Sequence, residues 1–315
     1  LLYGQSSQKP PLKLLLQTSH TIFLQEGIMH TLTSTTLRFC LRFSLLLLAL
    51  PLLAHASLPQ SSNVPGGVAI VPLGGATTNS TKPQTWFGEQ AVLVTSDRRQ
   101  WYAVIGLPLD LKPGSYELSV KVGDAMKAQH FVVKAKDYPE QHITLKDTSK
   151  VELSAEDEAR AVREIATIKA LKLNWRDEED TDLAFIIPVK GRLASSFGLR
   201  RFFNGEPRAP HAGLDVAVAR GTPVKASAQG KVLAVDDYFF NGKTIFVDHG
   251  NGLITMYCHL DQSDVQTGET VRKGQQLGLS GQSGRATGPH LHWSVILNGA
   301  MVDPQLFLPA KYKHK

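Results

Sequence analysis

From Val68 to about Lys146, short runs of β-prone residues alternate with turn signals. The runs cover residues 68–71, 91–94, 101–105, 116–122 and 130–133. Leu118, Val120 and Val122 alternate with polar neighbours, the period of a half-solvated strand. Pro113 and Gly114 mark the turn before that strand, and Gly123 and Asp124 the turn after it. Short strands at this spacing predict a small β-sandwich over residues 67–148. Trp86, Trp101 and Tyr102 are assigned to its core rather than to a glycan-stacking patch, because aromatics of sandwich strands are usually buried.

The period then changes. Ser154 is a candidate N-cap, with Asp157 three residues on. Ala159, Val162, Ile165, Ala166 and Ile168 recur at helical spacing, so a helix is expected to run to about Leu173. Residues 176–182 carry a dense charge run and are expected to be solvated, which makes 149–183 a helical linker. Beyond it, strand patterns recur at 230–235, 244–247, 253–257 and 290–296, with no helix of ordinary length between them. Residues 184–310 are therefore expected to form a twisted antiparallel sheet with long loops. The fold class is mainly β: an N-terminal sandwich, a linker helix and a C-terminal antiparallel sheet.

The start of the chain reads as an address. Arg38 and Arg42 precede an apolar run at 45–53, followed by Ala54, His55 and Ala56, a small-x-small cleavage pattern. Residues 29–56 are expected to be a signal peptide and 1–28 a non-native upstream extension. The run is shorter than the ~20 residues of a membrane span, so membrane contact is expected only through an uncleaved leader. Residues 1–56 hold four Lys or Arg against one Glu, and their removal takes the net charge from +6 to +3. That modest charge suits an anionic wall or membrane surface and demands no nucleic acid. Cys258 is the one thiol left beyond residue 56, so no intrachain disulfide is available there.

The chemistry is concentrated in the histidines. His290 and His292 share a face if their segment is a strand. His211 and Asp215 offer a nitrogen and a carboxylate oxygen four residues apart, and His259 lies between the two groups in sequence. Three protein ligands with an open position make a catalytic rather than a structural zinc site. Spacing alone does not decide which of His290 and His292 is the ligand. Gly213 and the β-prone residues 216–218 suggest that HxxxD is a loop entering a strand. Alternation along 257–259 predicts that Cys258 faces away from the groove as an inert buried thiol. His249 is read as a turn residue, and His130, His142 and His314 as outside the constellation. Arg200 is left between a surface role and orientation of a substrate carboxylate. The glycines at 278, 281, 284 and 288 are read as tight loops at a groove edge.

Residues 193–200 (LASSFGLR), 211–215 (HAGLD), 221–224 (GTPV), 257–260 (YCHL) and 288–292 (GPHLH) occur in one order. With them the segment from about Phe185 to Leu308 resembles the lysostaphin-type (LytM-like) zinc peptidases of bacterial cell walls, and the sandwich resembles an immunoglobulin-like module. The resemblance implies one zinc ion per chain on His211, Asp215 and His292, with His259 and His290 as catalytic, proton-handling residues. It implies hydrolysis of peptidoglycan peptide stems, at D-alanyl–meso-diaminopimelate cross-links if the envelope is Gram-negative. The leader then implies a periplasmic location, with a regulatory periplasmic or outer-membrane protein as a further partner. The alternative is a non-enzymatic activator of cell-wall amidases or a wall-binding protein.

Overall fold

The computed structural model describes residues 58–76, 80–144, 153–309 and 312. The expected leader and upstream extension lie outside them, and among the described residues no helix is long and apolar enough to cross a membrane.

Seven strands form the N-terminal sandwich: β1 (Val68–Gly75), β2 (Gln84–Phe87), β3 (Gln90–Ala91), β4 (Leu93–Asp97), β5 (Gln100–Gly106), β6 (Gly114–Val122) and β7 (Ala125–Val133). They pair as β1-β5-β4 and β3-β2-β6-β7. Alternate residues of both sheets, Val71 and Ile105 on one side and Leu118, Val120 and Phe131 on the other, bury a common core. Trp86, Trp101 and Tyr102 depart from expectation and stay partly exposed. Trp86 flanks the inward-facing Thr85, so the period of two turns its ring outward. Residues beyond β7 leave the sandwich, and β8 (Glu140–Ile143) pairs in parallel with β10 (Arg200–Phe203) of the C-terminal unit.

Helix α1 (Ala155–Lys172) starts at the expected cap, with the Asp157 amide donating to Ser154 Oγ at 3.1 Å. Its Ile168 and Leu171 cover a cluster of Tyr238, Phe246, Ile254, Met256, Cys258 and Ile296. The charge run after it is not a free tether. Arg176 Nε donates to the buried Asp248 Oδ2 at 2.8 Å, and Asn251 Nδ2 reaches Glu178 O at 2.7 Å and Thr181 Oγ1 at 2.8 Å. The segment crosses a tight hairpin end at 250–252, whose polar groups need partners once water is excluded.

The C-terminal sheet is the frame of the molecule. Its strands are β9 (Arg192–Ser195), β12 (Leu214–Ala217), β13 (Pro223–Lys225), β14 (Gly230–Tyr238), β15 (Gly242–Gly250), β16 (Leu253–Ser263), β17 (Thr270–Val271), β18 (Gln276–Ser280), β19 (His290–Leu297) and β20 (Ala300–Val302). The main path is β17-β14-β15-β16-β19-β12-β9. The short β11 (Glu206–Pro207) pairs with β10 outside it. One face of β16 and β19 carries Leu253, Tyr257, Leu291, Trp293, Val295 and Leu297 into the largest core. That core also takes in Val68, Leu93 and Val104 of the sandwich, so the two units share apolar packing. His249 lies buried in β15 rather than in a turn. Its ring bonds Gln229 O at 2.6 Å and Thr255 Oγ1 at 2.8 Å.

Candidate metal centre

β12 and β19 are antiparallel neighbours, and Asp215 stands directly opposite His292. Residues opposed in this way share a face, which puts the carboxylate beside the imidazole. His290, two residues earlier on β19, points to the same side. His211 enters from the loop before β12, as the glycine-bearing HxxxD segment predicted.

Three atoms converge there. Asp215 Oδ1 is 2.9 Å from His292 Nδ1 and 3.0 Å from His211 Nε2, and the two nitrogens are 3.1 Å apart. The other ring nitrogens are committed elsewhere. His211 Nδ1 donates to Ser196 O at 2.8 Å. His292 Nε2 donates to Ser294 Oγ at 2.9 Å, and that hydroxyl in turn donates to Ala212 O at 2.9 Å. These bonds leave lone pairs on His211 Nε2 and His292 Nδ1, facing an anionic oxygen. Burial opposes ionisation of Asp215, and only N–H donation or positive charge from His211 and His292 holds its carboxyl below the usual carboxylate range, a role that falls to a cation once both facing nitrogens present lone pairs. Burial lowers the His292 pKa, which favours the neutral ring. Three lone pairs aimed at one point repel one another unless a cation lies among them. Two nitrogens and one oxygen are a donor set that suits zinc.

His259 and His290 stand beside this triangle. Their ring centroids are 4.6 Å apart, and His290 Nε2 is 3.8 Å from Asp215 Oδ1. His259 Nδ1 donates to Ser283 O at 2.9 Å and His290 Nδ1 to Gly288 O at 2.8 Å, which leaves each Nε2 with a lone pair. Burial pushes His259 down to about 4, so it is neutral at pH 7.

All five expected residues thus come together, but the route of one was misread. Cys258 pairs with His292 and lies on the same sheet face, not the opposite one. Simple alternation would then send His259 into the core. A bulge intervenes: β16 shifts register near Leu260, and His259 takes a φ of +61°, which returns its ring to the groove side. Cys258 is buried with Asn241 Nδ2 3.3 Å from its sulfur, and burial pushes its thiol up to about 12. Arg200 is largely exposed and faces Glu140 at 3.8 Å. Its neighbour Arg201 donates to Ser195 Oγ at 3.2 Å, and Ser195 lies 3.3 Å from His211 Nδ1.

The supporting residues Ser196, Ser283 and Ser294 were not singled out from sequence. Ser294 alone had a signal, since it follows His292 at the strand period. Gly213 also acquires a reason: a Cβ there would stand 2.7 Å from the His292 ring.

Two nitrogens and an oxygen converging beside two free imidazole edges form the arrangement of a metal-dependent hydrolase. Residues 209–304 match peptidase family M23, and residues 61–136 match the peptidase family M23 N-terminal domain. A solved structure of a candidate peptidase M23 from Pseudomonas aeruginosa is 42% identical, with a TM-score of 0.67, covering 78% of this chain and 95% of that one. The chain belongs to peptidase family M23. The peptidoglycan DD-endopeptidase ShyA of Vibrio cholerae is 42% identical over 118 residues, 37% of this chain and 27% of that protein. The DD-carboxypeptidase/endopeptidase Mpg of Neisseria meningitidis is 38% identical over 116 residues, again 37% of this chain and 27% of that protein. The chain therefore matches about a quarter of the length of these curated relatives.

Proposed function

We propose that this chain is an exported zinc metalloendopeptidase that hydrolyses peptide cross-links of peptidoglycan, at D-alanyl–meso-diaminopimelate bonds. The observation that carries the reading is the triangle of His211 Nε2, Asp215 Oδ1 and His292 Nδ1, with sides of 3.0, 2.9 and 3.1 Å. Those residues would hold one zinc ion. Zinc bound there would polarise the scissile carbonyl and acidify water. The free Nε2 edges of His259 and His290 are the proton-handling groups. One accepts the proton of the attacking water, and the imidazolium so formed steadies the oxyanion and passes that proton to the leaving amine. The backbone carbonyls of Ser283 and Gly288 hold each ring in the tautomer this requires.

The choice of bond is supported by the DD-endopeptidase names of the Vibrio cholerae and Neisseria meningitidis relatives. The leader pattern and that substrate together support a periplasmic location, where a periplasmic or outer-membrane regulator would act. The test is mass spectrometry of sacculi digested by the wild type and by His211→Ala, with metal content measured on both. Wild-type protein should convert cross-linked muropeptides to monomers, and the variant should lose both zinc and activity. Intact muropeptide dimers alongside stoichiometric zinc would refute the enzymatic reading and return the amidase-activator alternative.

A further inference from the structure

His211 is held on three sides by one short segment. Its backbone N–H donates to Leu199 O at 2.9 Å, its carbonyl accepts from Gly198 N at 2.8 Å, and its Nδ1 donates to Ser196 O at 2.8 Å. The position of residues 196–199 therefore sets the position of Nε2. That segment is in turn seated on the chain that leaves the sandwich. The Tyr138 ring meets Phe197 edge-on at 6.2 Å, and a Cβ on Gly198, which has φ +82°, would fall inside it. Arg200 N donates to Pro139 O at 2.9 Å and Asn204 N to Ile143 O at 3.0 Å, at the two ends of the β8–β10 ladder. His142 stacks on Phe202 at 4.5 Å and 8°. Tyr138 is anchored behind, its hydroxyl donating to Pro65 O at 2.7 Å. A continuous path of packing and hydrogen bonds thus runs from Pro65 through Tyr138 and residues 197–199 to His211.

We propose that Tyr138, with strand β8, is a positioning residue for the metal centre: the segment that leaves the sandwich sets the imidazole of His211 from outside the peptidase sheet. This rests on the reading of His211 as a metal ligand. Groups bonded directly to a ligating imidazole move metal affinity about 10–100-fold, and Tyr138 acts through one further link, so an effect at the low end of that range is expected.

The test uses the whole chain and Zn2+ alone, with affinity read by chelator competition and geometry by the visible spectrum of the Co2+ form. Tyr138→Ala should weaken Zn2+ binding about 10-fold or more and alter the Co2+ bands. Tyr138→Phe keeps the ring and loses only the bond to Pro65, so it should restore most of the affinity. Phe131→Leu, which perturbs the sandwich core away from the loop, should leave affinity unchanged. Coupling is reciprocal, so Zn2+ added to wild-type protein should slow hydrogen exchange across residues 138–143. That measurement holds even if Tyr138→Ala does not fold. Unchanged exchange there, or Tyr138→Ala binding Zn2+ like the wild type, would overturn the proposal. Wild-type protein that binds no Zn2+ would instead defeat the reading of the metal centre itself.

Discussion

Each histidine of the site is defined by what its second nitrogen touches. For His292 that group is Ser294, which accepts from Nε2 at 2.9 Å and leaves Nδ1 turned to Asp215. Ser294→Ala keeps the strand and removes the acceptor, so Zn2+ affinity measured by chelator competition should fall about 10–100-fold, and the buried His292 Nε2–H and Ala212 O left unpaired should each cost about 1–3 kcal/mol of stability. His249 shows the opposite use of an imidazole. It is fully buried and burial lowers its pKa to about 4, from 6.5 in the unfolded chain. Between those values the unfolded state binds the extra proton. Stability from this residue is therefore complete above pH 6.5, falls as pH drops toward 4, and is flat below. The loss is about 3 kcal/mol over that window. Urea unfolding of wild type and His249→Gln at pH 7.5, 5.5 and 4 should show a smaller acid loss in the variant.

Strands and helix differ in how far local pattern carried them. Helix α1 was readable because its cap and acidic first turn agree, but its apolar period did not mark the buried face: Val162 and Ile165 are exposed, and Ala161, Ile168 and Leu171 make the contact. Ser154→Ala should cost about 1 kcal/mol in denaturant unfolding, since one amide at the helix start loses its acceptor. The strands around the histidines were equally readable, and the period of two put His290 and His292 on one face. β16 was misread at its end, because a bulge inverts alternation and its cause lies elsewhere: the His259 amide donates to Asn241 O at 2.9 Å, on the neighbouring hairpin. The linker after α1 was misread for the same reason. Its charges look solvated in sequence, but Arg176 finds a buried carboxylate seventy-two residues away.

The two units of the chain do not behave as beads on a tether. Asn298 inserts between them, its Oδ1 accepting from Gly106 N at 2.6 Å and its Nδ2 donating to Gly106 O at 3.1 Å, so a side-chain amide completes a strand edge of the sandwich. Around it Val68 and Val104 share a core with Val295 and Leu297. Asn298→Ala would leave both Gly106 groups buried and unpaired, at about 1–3 kcal/mol each. Calorimetry should show one transition for the wild type and, for the variant, a lower and broadened or divided one; an unchanged trace would mean the units are not coupled here.

Local order and composition were enough to predict a mainly β chain and the helix with its cap, because these depend on spacing along one segment, and the resemblance carried by residues 211–215, 257–260 and 288–292 named the five side chains of the centre. The convergence of Asp215 on His292, the bulge that aims His259, the serines and carbonyls that settle each tautomer, and the seating of residues 196–199 on Tyr138 came only from the folded chain. They arise between segments far apart in sequence, where a hydrogen bond or a shared core, rather than any local period, selects the conformation.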